Sequence, residues 1–255
     1  MTLTRRAFAV LPSLCLAALL QWPAAGWAGC DDPPAQRVNW LRCAKPGIDL
    51  QGADLRQAVL TQTDLSDAKL AGARLSGADL GGATLSRADF SGAALVGSRL
   101  VSATLAQAVF AGANMSDARL DRAVLVRANL SQADLGGARL YQADLGGATL
   151  DGAKLAQAHL TQANLSDARL TGADLSDADL SRAILEGAAL DGANLSRARL
   201  DGANLLSANF SGADLSGANL AGARIDDARF TGAKLDSTIW VNRQRCQPGS
   251  VGECR

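Results

Sequence analysis

The chain has 255 residues, and its 25 basic and 25 acidic side chains cancel to zero formal charge. Hydrophobic residues make up 48% but aromatics only 4%, which excludes a conventional core packed from Phe, Tyr and Trp. Abundant Leu with modest charge equally excludes a disordered chain. Neutrality argues against a nucleic-acid binder that works by neutralising phosphates, and so biased a composition points to an internal repeat.

Residues 1–28 read as an export signal. Arg5 and Arg6 give a positive start, Ala7 to Leu20 is nearly all apolar, and small residues lead to a cleavage position after Ala28. The apolar run is too short, and too interrupted by Pro12 and Gln21, to span a membrane. Thr4-Arg5-Arg6-Ala7-Phe8 resembles a twin-arginine signal, but paired Arg also opens ordinary secretory signals, so both routes stay open. The mature chain is expected in the periplasm or secreted, without a transmembrane segment.

Signal removal discards Cys15 and leaves Cys30, Cys43, Cys246 and Cys254, an even set suited to disulfides in an oxidising compartment. A competing reading takes Trp27-Ala28-Gly29-Cys30 as a lipidation box, which would leave one orphan thiol. Residues 29–47 then form an N-terminal cap. Pro33 to Cys43 predicts a short Pro-initiated helix that lays Trp40 and Leu41 as a lid over the chain from residue 48 onward.

Residues 48–241 repeat with a period of five and no break. From Leu50 to Trp240 all 39 fifth positions are large and apolar, Leu except for Phe90, Phe110, Met115, Phe210, Ile225, Phe230 and Trp240. Two residues earlier stands Ala, except for Ile48, Thr63, Ser98 and Thr238. On an α-helix, at about 100° per residue, five residues rotate successive Leu by roughly 140°, so no apolar face forms. In a strand, Ala and Leu share a face, but an odd period throws the next pair to the opposite side. The pattern works only if the chain turns a corner in every unit, for which the frequent Gly two residues after Leu is suited.

Units such as Ala213-Asp214-Leu215-Ser216-Gly217 and Ala173-Asp174-Leu175-Ser176-Asp177 resemble the pentapeptide-repeat family. The resemblance implies an all-β fold, a right-handed quadrilateral β-helix of about nine to ten coils, four units per coil. Coils stacked at about 4.8 Å would make a rod roughly 45 Å long. On that rod Cys30 and Cys43 lie at one end and Cys246 and Cys254 at the other, so the pairs Cys30–Cys43 and Cys246–Cys254 are implied. Residues 242–255 become a C-terminal disulfide cap, with Trp240, like Trp40, a lid residue. Exposed coil ends invite association, so the chain is expected to be a monomer or an end-to-end dimer.

Candidate chemistry is sparse. His159 is the only histidine and takes an outward position, so no His-based metal cluster exists. The many Asp residues belong to the repeat, the Gly-Gly-x-Gly-x-Asp calcium pattern is missing, and no catalytic, cofactor or metal site is expected: the chain does not read as an enzyme. With twenty residues per coil, Arg99, Arg119, Arg139 and His159 stack into one column, beside Arg122, Tyr141, Val101, Val124 and Val126. This basic strip with an apolar edge suits a phosphate- or carboxylate-bearing envelope polymer or an acidic protein surface. The plainer alternative is that Asp121 and solvent neutralise it while the Arg stems cover the coil. The function expected is an exported, non-catalytic scaffold that binds an envelope protein or anionic polymer and no nucleic acid. The family offers one alternative, a DNA mimic acting on topoisomerases, but that role needs a cytoplasmic chain with acidic stripes.

Overall fold

Each unit spends its five backbone N–H groups in a fixed way. The inward apolar residue donates to the next coil, as Leu55 N does to Arg74 O at 2.8 Å; so does the residue two positions on, Gln57 N to Ser76 O at 3.1 Å. The following Ala closes the corner, Ala58 N to Leu55 O at 3.1 Å, and the outward residue before Leu donates back to the preceding coil, Asp79 N to Ala58 O at 2.9 Å. The fifth donor, on the residue after Leu, has no place in this ladder. Where Asp or Asn precedes Leu, its carboxylate or amide oxygen accepts that N–H, as in Ser66 N to Asp64 Oδ1 at 3.0 Å and Ser166 N to Asn164 Oδ1 at 3.1 Å. The recurrent Asp and Asn are therefore backbone caps.

The computed structural model describes residues 29–255; the export signal expected over 1–28 lies outside the described residues. Parallel bridges join residues twenty apart without interruption from Asn39 to Ile239, so these 200 residues wind into ten coils of four units. The rod has four faces, numbered by the outward residue of their first unit: face one begins at Asn39, face two at Ala44, face three at Asp49 and face four at Asp54. Leu and Ala of every coil fill the axis, nearly all with no exposure. Residues one coil apart stack directly: the Phe90 and Phe110 rings lie 4.8 Å apart at 6°, and Phe210 and Phe230 lie 5.1 Å apart at 1°.

The corners hold a residue with positive φ, and Gly is not required. Gln57, Arg87, Asp167 and Ser207 turn corners of the same kind with φ of 57°, 58°, 56° and 56°. A side chain there costs roughly 1–2 kcal/mol, which the ladder bonds on both sides of each corner hold in place.

The N-terminal helix is not formed, and the coil geometry extends N-terminal of residue 48, where the five-residue pattern begins. Residues from Arg37 onward already follow the coil: Arg37 and Arg42 turn corners at φ 61° and 59°, and Asn39 and Ala44 bridge to Val59 and Asp64. Val38 and Cys43 occupy Ala positions, and Trp40 occupies a Leu position with no exposure, while Leu41 points outward. Trp40 is thus the core of the first coil and not a lid. A templating edge one coil above outweighs the weak helix tendency of a short Pro-initiated segment. The lid is the chain before it: Trp40 Nε1 donates to Asp32 O at 3.1 Å, Lys45 Nζ sits 4.4 Å over the ring, and Cys30 bonds Cys43 with Cα atoms 5.5 Å apart.

At the other end the chain returns antiparallel, pairing Val251 with Lys234 on face four and Arg245 with Ile239 on face one. Cys246 bonds Cys254 with Cα atoms 4.9 Å apart, and Trp240 packs edge-on against Phe230 at 5.2 Å. Faces two and three end at Arg224 and Arg229 with no onward partner among the described residues. This cap closes half of the rod end.

Candidate ligand-binding face

The twenty-residue register makes the outward charge pattern explicit. On the other outward columns, charges of like sign never occupy successive coils, and Asp54, Arg74, Ala94, Asn114, Asp134 and Lys154 on face four are typical. Face one departs from this rule. Arg99, Arg119 and Arg139 bridge in sequence, His159 comes next, and Asp179 ends the run. All four side chains sit where Asp or Asn would cap the backbone, so Val101, Asp121, Tyr141 and Thr161 lose that cap on four consecutive coils. Stacked cations repel by about 1 kcal/mol per pair in water, so the repeat gives up both a cap and charge balance here.

The basic strip expected from the sequence is brought together, but its members are not equivalent. Arg99 is tied to Asp79 at 2.9 Å and lies across Gly81, where an added Cβ would stand 2.6 Å from its guanidinium. The sequence signal for that pairing is Asp79, one coil below Arg99 and two residues before a glycine. Arg119 makes no ion pair among the described residues, and Arg139 Nε lies 3.7 Å from Asp121 Oδ2. Beyond His159, Arg199 reaches Asp179 and Asp201, both at 3.4 Å. Free positive charge is therefore confined to the middle of the column.

At that point the face is indented. Asp121, Arg139, Tyr141, His159 and Thr161 line a cleft of about 330 Å³. Tyr141 is the only tyrosine of the chain and His159 the only histidine. Tyr141 is 40% exposed, and its hydroxyl donates to Gln162 Oε1 at 3.3 Å. Asp121 is 8% exposed, and its Oδ1 is buried with no hydrogen-bond partner. The sequence marks Asp121 only as a neutralising neighbour in solvent; its burial is a finding of the structure, as is the place of Thr161 in the cleft. Val124 is exposed and Val126 half-buried on adjoining face two, where Val126, Asp144 and Asn164 line a second, more open groove.

Several carboxylates elsewhere are committed to structure. Arg56 beside Asp54 holds its carboxyl down at about 2, and Arg87 and Arg197 lower Asp67 and Asp177. The Ser66 hydroxyl and N–H lower Asp64. Burial works against Asp179 and Asp214, yet the N–H groups of Ser181 and Ser216, with Arg199 and Lys234, hold both below the ordinary range. No group of three or more His, Cys, Asp or Glu among the described residues is placed to hold a metal ion, and no helix among them is long and apolar enough to cross a membrane.

A four-sided β-solenoid of five-residue units defines the class. The model of the pentapeptide repeats matches in segments from residue 48 to residue 239, and the chain belongs to that family. The chain is similar to HetL, a pentapeptide repeat protein involved in heterocyst differentiation regulation in the cyanobacterium Nostoc sp. strain PCC 7120. The two are 35% identical over 78% of this chain and 92% of HetL, with a TM-score of 0.61. It is also similar to QnrB1, a plasmid-mediated fluoroquinolone resistance protein, 19% identical over 72% of this chain and 92% of that one, with a TM-score of 0.48. No curated protein matches.

Proposed function

We propose that this protein is an exported, non-catalytic scaffold of the cell envelope that presents face one of its rod to an anionic partner. The observation that carries this reading is the run Arg99, Arg119 and Arg139, the one place where outward charges of like sign occupy successive coils. Export is supported by the order of residues 1–28 and by a disulfide at each end of the rod. HetL, involved in regulation by its description, is consistent with a family rod serving through its surface. The DNA-mimic alternative finds no support in the charge pattern, because no outward column carries carboxylates on successive coils.

The test combines fractionation with crosslinking in the native cell. The chain should be recovered outside the cytoplasm, and Arg119→Glu with Arg139→Glu should abolish its crosslinked adducts; Arg119→Glu alone, which breaks no ion pair among the described residues, should weaken them while leaving the melting temperature unchanged. Undiminished crosslinking by the double variant would remove face one as the binding face. Recovery in the cytoplasm would remove export.

A further inference from the structure

We propose that the cleft on face one binds an acidic sugar, a monosaccharide unit bearing both a carboxylate and free hydroxyls, within an oligosaccharide. This rests on the reading of face one as the binding face and names the chemistry of its ligand. The cleft of about 330 Å³ falls at the small end of ligand sites.

Its lining asks for a ligand with two kinds of group. Arg139 supplies donors for an anion, and Arg119, without an ion pair among the described residues, stands one coil away in the same column. An inorganic anion would be served by these alone but would meet Asp121 as a like charge. Asp121 instead needs a donor. One of its oxygens lies 3.7 Å from Arg139 Nε, and the other is shielded with no partner, which is costly for a buried carboxylate. A sugar hydroxyl donates to the carboxylate once its plane turns toward the cleft, and the Thr161 hydroxyl, which donates to Asp179, can accept beside it. Half-exposed Tyr141 offers its ring as an apolar surface against which the C–H face of a pyranose packs. An acidic peptide would use the arginines and can offer a backbone N–H to Asp121, but it brings no flat C–H face to pack on Tyr141.

The placement of these residues is the second argument. The fold dictates only the inward Leu and Ala, and Asp, Asn, Arg, Gln, Ser, Thr and Gly fill most of the outward positions, yet the chain's single Tyr and single His stand on neighbouring coils in this one cleft. Because Arg119 continues the column one coil past the cleft and makes no ion pair among the described residues, the adjoining sugar of an oligomer can set its acid against it.

Calorimetry on the full chain with tri-galacturonate, neutral galactotriose and hexaglutamate peptide tests this. Tri-galacturonate should bind saturably, the neutral trisaccharide about tenfold or more weaker, as loss of a charge-assisted contact implies. Asp121→Asn and Tyr141→Ala should each weaken tri-galacturonate about tenfold, whereas hexaglutamate should bind neither variant more weakly than the wild type. If hexaglutamate binds as tightly as tri-galacturonate, and both variants bind as the wild type does, the sugar inference is overturned while face one survives as an anion-binding face. If none of the three probes binds, the sugar inference is overturned, and crosslinking of the Arg119→Glu/Arg139→Glu variant alone decides whether face one stands.

Discussion

Three residues at Ala positions are polar, and their fates differ by one hydrogen bond. Thr63 Oγ1 donates to Trp40 O at 2.6 Å and Thr238 Oγ1 to Leu215 O at 2.7 Å, each using a carbonyl twenty-three residues back. Ser98, equally buried, has no partner for its hydroxyl. A buried hydroxyl without a partner costs about 1–3 kcal/mol, whereas Ala fits this position in the coils below and above, at Ala78 and Ala118. Ser98→Ala should therefore raise stability by about 1 kcal/mol in denaturant unfolding, and Thr63→Ala should lower it by a similar amount. The reverse signs at the two positions would show that the two hydroxyls have been assigned the wrong environments.

At the scale of the five-residue element, the ladder is completed by outward Asp and Asn, and this makes the rod acid-sensitive. Asp64, Asp179 and Asp214 have carboxyls held below the ordinary range, Asp64 by the Ser66 hydroxyl and N–H and the other two with the help of the Ser181 and Ser216 N–H groups they cap. A carboxyl with a lowered folded-state value adds stability that is complete above its unfolded value, about 3.9, and is lost as pH falls through the folded one. The melting temperature should be flat from neutral pH down to about 5 and then fall between about 4 and 2. Changing all three to Asn, which caps equally well at Asn114 and Asn164, should leave it unchanged at pH 7 and shallow the acid fall. An unaltered acid profile would mean the capping carboxylates do not carry it. Much of this element was legible in the sequence, because an inward position admits only an apolar residue and so prints a period of five. The capping role left its own trace in Asp64-Leu65-Ser66 and Asp89-Phe90-Ser91, where Ser donates both its N–H and its hydroxyl, but periodicity alone does not reveal a hydrogen bond. The first coil was not legible. With Val38, Trp40, Cys43 and Lys45 at positions that elsewhere hold Ala and Leu, only the edge of the second coil identifies it. The Arg column could be read from a count of twenty, whereas the burial of Asp121 and its approach to Arg139 depend on side-chain conformation, which no spacing records.

Over the whole molecule, stability is a sum of coils and of contacts between neighbours, so the ends decide where unfolding starts. The two ends are unlike. The N-terminal one is sealed over a fully buried Trp40 by the Asp32 carbonyl, Lys45 and the Cys30–Cys43 disulfide. The C-terminal one is covered on faces four and one only, where Leu235 N reaches Ser250 O at 2.9 Å and Trp240 N reaches Gln244 O at 2.7 Å. On faces two and three the N–H groups of Ile225 and Phe230 have no backbone acceptor among the described residues. Cys246–Cys254 fastens the short returning segment that makes the few closing bonds. Replacing both cysteines by Ser should cost about 2–3 kcal/mol by the loop-entropy account, and the loss should be local. Hydrogen exchange should accelerate first at amides of the last coil, such as Leu220, Leu235 and Trp240, and leave Leu100 to Leu145 protected as before. The same replacement at Cys30 and Cys43 should expose fewer amides, because Trp40 is already held by Thr63, Lys45 and Asp32. Uniform acceleration along the rod after loss of Cys246–Cys254 would show that the coils unfold as one unit and that the half-open end has no special weakness.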